Sequence, residues 1–185
     1  MNAPRPSQLR SRLTLALIAA MFLGSFVVAA VLRFSGWAPA HTRNYGELLE
    51  PPIALGSLTL QRADGTPYAW APEQDRWRLL AVPAPGCAQT CLEALDFLHR
   101  TWLSQGRKAD RLDVLWAGEI PANGASFRRL VQVRPDPALS AALPEAAGAE
   151  SLPLYLVDPS GYLVVHYHPR PDPAGVRKDL GKLLK

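Results

Sequence analysis

Cysteine is scarce in this chain. Two in 185 residues exclude a disulfide-dense secreted scaffold. No Gly-rich phosphate loop occurs, and Ser160 lies outside any Gly-x-Ser-x-Gly elbow, so nucleotide and α/β-hydrolase chemistry have no foothold. Acidic residues are scattered singly, as on solvated faces. Internal repeats and low-complexity tracts are lacking. A basic surplus is also lacking where it would matter. The net charge is +4, yet residues 1–43 hold five arginines and no acid, leaving 15 basic against 16 acidic residues downstream. The downstream part has no excess charge to neutralise phosphates, so nucleic acid is excluded as a partner. The length suits one domain with a short appendage.

Long apolar runs are absent with one exception. Leu13 to Leu32 carries no charge, and only Thr14, Gly24 and Ser25 depart from strong apolarity. Twenty helical residues rise about 30 Å, the thickness of a bilayer's hydrocarbon core. Residues 13–33 are therefore read as one transmembrane helix in the lipid bilayer. Arg5, Arg10 and Arg12 precede it without an acid, which keeps residues 1–12 cytoplasmic and puts the C-terminal domain outside. Ala38-Pro39-Ala40 resembles a signal-peptidase site, but cleaved signals have shorter apolar cores, about 7–15 residues. Either reading places the domain in one compartment. The Ala, Pro and Arg usage suggests a GC-rich bacterial genome, hence an inner-membrane protein with a periplasmic domain, where disulfides persist.

Residues 34–56 read as a linker stiffened by Pro51-Pro52, and residues 57–185 as the domain. Ser57 to Leu60 suggests a short strand, Asp64-Gly65 a hairpin turn and Tyr68 with Trp70 the return strand. Trp77 to Val82 reads as a central strand. A helix is predicted over Cys87 to Gln105, because Cys91, Leu95, Leu98 and Trp102 share one face, with Gly106 as its stop. Strands follow at Leu112–Trp116 and Leu130–Val133, and a weak helix over Asp136–Ala149 broken near Pro144. Leu154–Val157 and Tyr162–Tyr167 form a hairpin through Asp158-Pro159-Ser160-Gly161. A last helix starts with Asp172 as cap and Pro173 in its first turn, its apolar face being Val176, Leu180, Leu183 and Leu184. This order describes an α/β fold with a mixed sheet.

Both cysteines lie in Gly86-Cys87-Ala88-Gln89-Thr90-Cys91, where a strand passes into a helix. Four residues apart, they can bond to each other or grip a soft metal ion together. The helix start favours a Cys87 thiolate, which is both a nucleophile for disulfide exchange and a ligand for Cu(I). A purely structural bridge is the third option. Its loop is so short that it removes little entropy from the unfolded chain.

The strand, the cysteine pair at a helix start, and Pro153 just before a hairpin strand with Gly161 eight residues on together resemble the thioredoxin fold, a mixed sheet flanked by helices. In that family the proline is cis and packs beside the active cysteines. The Cys-x-x-x-Cys spacing, the single N-terminal helix and the Tyr155-Leu156-Val157-Asp158-Pro159-Ser160-Gly161 hairpin are similar to the Sco/SenC-like proteins of cytochrome c oxidase assembly. The whole chain resembles small membrane proteins encoded among bacterial cytochrome oxidase genes, through Asn44-Tyr45-Gly46-Glu47-Leu48, Pro51-Pro52 and the tail Lys178-Asp179-Leu180 to Lys185. The similarity covers most of residues 44–185. It implies a role in oxidase assembly by thiol–disulfide exchange or copper handling, with Cys87 attacking, Cys91 resolving and Pro153 shaping the surface that meets the partner. Oxidase subunits or other assembly factors are the implied partners. No cofactor is required, and copper is the implied metal at Cys87 and Cys91. A non-catalytic assembly module with a structural Cys87–Cys91 bridge is the competing reading.

The Sco pattern places a copper-binding histidine where Glu150 stands here. The four histidines of the chain are His41, His99, His166 and His168. His41 is in the linker. His99 lies about 12 Å along the helix from Cys91, too far to share a metal with it. His166 and His168 share a strand face and could form a small metal pair, but two histidines at a strand end are expected to be solvated, since a metal site needs three or four converging ligands.

Overall fold

The computed structural model describes residues 6–35, 44–84, 86–144 and 152–184, and the side chains of residues 6–9 lie outside that description. Two units divide at Arg43 and Asn44. The first contains helix α1 (Pro6–Phe34), whose segment Arg10–Phe34 is long and apolar enough to cross a membrane. Its large side chains, Phe22 and Phe26 among them, are exposed, as a helix that meets lipid rather than protein requires.

The second unit is a six-stranded sheet in the order β1-β6-β5-β2-β3-β4. The strands are β1 (Glu47–Ala54), β2 (Trp77–Ala81), β3 (Leu112–Ala117), β4 (Leu130–Val133), β5 (Leu154–Val157) and β6 (Tyr162–Tyr167), with helices α2 (Gln89–Leu103), α3 (Pro137–Ala142) and α4 (Pro173–Leu183). Strands β2, β3 and β4 run parallel. Strands β5, β6 and β1 add antiparallel neighbours on the far side. This is the mixed sheet with flanking helices expected of a thioredoxin-like fold. Strand β3 is buried along its whole length, as a near-continuous apolar run between parallel neighbours should be.

Alternation of side chains gives the sheet two cores. Leu79, Val114, Trp116, Leu156 and Tyr167 meet Leu95, Leu98, Val176 and Leu180 from α2 and α4. Each fully buried leucine contributes about 1.5–3 kcal/mol. On the opposite face Leu80, Leu115, Tyr155 and Val157 pack against Leu55, Leu60, Tyr68 and Leu139. Arg78 is also fully buried. Its guanidinium donates to the Tyr68 hydroxyl at 3.0 Å and to the carbonyls of Arg76, Asp158 and Pro159 at 2.9–3.1 Å. These contacts tie β2 to the β5–β6 turn. That turn needs Gly161, whose φ is +89° and whose added Cβ would lie 2.6 Å from the Gly56 Cα.

Two expectations are corrected. Residues 47–54, expected within a linker over 34–56, form the edge strand β1, so the domain begins at Asn44. Pro51 and Pro52 are tolerated because they occupy the irregular stretch between the Leu48–Val165 and Ile53–Leu163 pairs at a sheet edge. Ser57–Leu60 is not a strand. The Asp64-Gly65 turn does form, with the Thr66 N–H and hydroxyl donating to the Asp64 carboxylate at 2.8 and 2.7 Å, but its arms make only isolated bridges, Gln61 to Pro67 and Arg62 to Val133.

Candidate thiol–disulfide site

The site grows from the end of β2. After Ala81 the chain leaves the sheet through Val82, Pro83 and Ala84 and turns at Gly86, where φ is +78°. The Cys87 N–H donates to the Ala84 carbonyl at 3.3 Å, and α2 starts two residues later. Cys87 and Cys91 are joined in a disulfide, with their Cα atoms 5.4 Å apart. Cys91 falls in the first turn of α2 and is buried, 2% exposed, whereas Cys87 is half-buried. The two sulfurs are thus unequal in access, Cys87 being the more exposed. Among the described residues no side chain caps α2. Its first N–H groups therefore remain free to stabilise negative charge on sulfur once the bridge opens.

Cys87 and Cys91 line an open cleft of about 930 Å³ together with Val82, Pro83, Ala117, Glu119, Ile120 and Asp136. One wall comes from the loops after β3 and β4. Parallel strands end on the same side, so these loops converge on the loop after β2. The wall is pinned: Trp116 Nε1 donates to the Glu119 carbonyl at 3.1 Å and Gln132 Nε2 to the Gly118 carbonyl at 2.9 Å. Sequence reasoning missed this wall because its residues are far apart along the chain and carry no local motif.

Pro153 lies on the other flank. Its carbonyl accepts from the Val82 N–H at 3.5 Å, and the next residue, Leu154, pairs with Ala81. It is buried at the strand end that leads to the cysteines, but it does not line the cleft. The cis bond implied at Pro153 is not formed; among the described residues the cis peptide is Glu50–Pro51.

The histidines are placed apart from the pair. His99 stacks on Phe127 at 4.9 Å and on Trp102 at 6.4 Å. His166, expected to be solvated, is 3% exposed and stacks on Tyr155 at 5.1 Å, because β1 covers the edge on which β6 would otherwise lie open. His168 is exposed, with Nε2 3.9 Å from the Glu47 carboxylate. His41 and Glu150 lie outside the described residues. Once reduced, Cys87 and Cys91 supply two soft donors suited to Cu(I). Among the described residues no group of three or more His, Cys, Asp or Glu side chains converges as a metal site.

The family profile "Transmembrane-like, thioredoxin-like, C-terminal domain" matches residues 77–185, from β2 to the end of the chain. The chain belongs to this family. Its matched region contains the cysteine pair, both walls of the cleft and Pro153. No curated protein matches the chain by sequence. Among solved structures, this transmembrane-like thioredoxin-like protein is similar to apo Sco1 from Thermus thermophilus, with a TM-score of 0.53 and 18% identity over 79% of this chain and 98% of the other. It is also similar to yeast Sco1 with copper bound, with a TM-score of 0.52 and 14% identity over 77% and 93%. At these identities the likeness is one of fold.

Proposed function

We propose that this protein is a single-pass bacterial inner-membrane protein. Its periplasmic domain performs thiol–disulfide exchange at Cys87 and Cys91 in the assembly of cytochrome c oxidase. The observation that carries the chemistry is the inequality of the two sulfurs that line the cleft, one half-buried and the other buried in the first turn of α2. A bridge that served only as a staple has no need of an open cleft, and a four-residue loop adds little stability. Pro153 shapes the flank of the strand end that presents the pair. The arginines before α1 support an N-terminus in the cytoplasm. The assembly role rests on the resemblance in sequence to Sco/SenC-like proteins and on the shared fold.

Copper handling is the second reading, favoured by two thiols at one helix start and by the fold shared with a Sco1 that binds copper. The experiment compares bacteria whose own gene is deleted and which carry the wild-type chain, Cys87→Ser or Cys91→Ser. Oxidase activity restored by wild-type but by neither variant supports the proposal. Restoration by both variants contradicts it. Recovery of the variants with added copper alone favours the copper reading over exchange.

A further inference from the structure

The loop after β3, which lines the cleft with the cysteines, is braced by side chains. Gly118 and Pro83 bring the two sides of the cleft together: a Cβ at Gly118 would lie 2.6 Å from Pro83 Cγ. The hydrogen bonds from Trp116 and Gln132 fix the backbone of Gly118 and Glu119. The lining is mostly apolar, and its charged members among the described residues are Glu119 and Asp136, with no Lys, Arg or His among them. Asp136 is engaged, its carboxylate accepting from the N–H groups of Ala138 and Leu139 at 2.7 and 3.2 Å as the cap of α3. Glu119 is exposed and joins none of the ion pairs among the described residues. The cleft volume of about 930 Å³ is at the upper end of ordinary ligand pockets, roughly 300–1,000 Å³.

We propose that this cleft receives a polypeptide segment whose reacting cysteine is flanked by lysine or arginine, and that Glu119 is the residue that selects it. This rests on the thiol–disulfide reading above. The segment's thiolate attacks Cys87 Sγ and forms a mixed disulfide. The bond between the sulfurs of Cys87 and Cys91 breaks, and Cys91 leaves as a thiolate that takes a proton from water. A second thiol on the partner then attacks its own sulfur in the mixed disulfide and releases Cys87. The partner's dithiol is oxidised to a disulfide, and the pair is reduced by two electrons. Glu119 touches none of the reacting atoms. It acts through charge on the encounter, an effect of a few fold that salt screens.

The test uses the oxidised full-length chain in uncharged detergent and two heptapeptides. Each peptide has one cysteine, flanked by two lysines in one and by two glutamates in the other. The rate of mixed-disulfide formation is measured for wild-type, Glu119→Gln and Glu119→Lys. Comparing each variant with wild-type for the same peptide cancels differences in peptide thiol acidity. Glu119→Gln is expected to slow the lysine peptide about twofold to fivefold and to leave the glutamate peptide as fast or faster. Glu119→Lys should extend both changes, and both should vanish in about 1 M salt. Equal ratios for the two peptides overturn the charge selection and leave the exchange chemistry standing. Failure of both peptides and of dithiothreitol to open the bridge overturns the exchange reading itself.

Discussion

Tyr167 shows how one buried atom sets a pH response. Its ring is fully buried in the α4 face of the sheet, and its hydroxyl has no hydrogen-bond partner among the described residues. Burial, and then the nearby Asp179 carboxylate, raise its ionisation well above the ordinary 10.0. A group raised in the folded state lends stability that is complete below its unfolded value and is lost as pH rises through the folded one. Tyr167 should therefore cost about 1.4 kcal/mol of stability between pH 9 and pH 11, as the unfolded phenol ionises and the folded one does not. Tyr167→Phe removes a buried hydroxyl without a partner, so it should be neutral or stabilising by up to about 1 kcal/mol at pH 7. It should also flatten the alkaline limb, as denaturant unfolding at pH 9 and pH 11 would show. An equal pH dependence in both proteins would place the phenol in water. The cysteines give a second residue-scale expectation. In the reduced chain Cys87 should be alkylated at least tenfold faster than Cys91, because thiolate character and access both favour it. Mass mapping after a short pulse of iodoacetamide measures this.

Among the elements, β1 is the instructive one. Tyr45 and Gly46 lead into it and are clasped by α4. Their N–H groups donate to Asp179 Oδ2 at 2.8 and 2.9 Å, and the Asp172 N–H donates to the Tyr45 hydroxyl at 2.7 Å. Gly175 is required beneath the ring, since a Cβ there would lie 2.3 Å from Tyr45 Cγ. Asp179→Ala should cost about 1–3 kcal/mol by stranding two donors. Amide exchange at Tyr45, Gly46 and β1 should accelerate while β2 and β3 remain protected. Uniform acceleration across the sheet would show that β1 does not open on its own. This strand was hidden in the sequence because Pro51-Pro52 is an ordinary sign of a linker, and only its pairing with β6 shows otherwise. Strands β2, β3, β5 and β6 were legible because each is an apolar run bounded by turn residues. Helix α2 was legible through the spacing of Cys91, Leu95 and Leu98, although it starts two residues later than expected. The cysteine pair could be read from its spacing. The cleft could not, because Glu119 and Asp136 reach it only through the convergence of two parallel strand ends.

For the whole molecule, the proposal joins an anchor to a domain whose chemistry needs an oxidising compartment. Reporter fusions at the C-terminus should be active when the reporter works only after export, and silent when it works only in the cytoplasm. The opposite pattern would remove the compartment in which a Cys87–Cys91 bridge persists. The most direct test is a redox titration of the full-length chain in defined dithiol–disulfide buffers, with thiols counted by alkylation and mass. A pair used for exchange should convert completely and reversibly between disulfide and dithiol while the domain stays folded. Its midpoint should lie above about −300 mV, the region below which structural bridges usually fall. A bridge that opens only on unfolding, or whose midpoint falls well below that value, would contradict the exchange function and make Cys87–Cys91 a staple.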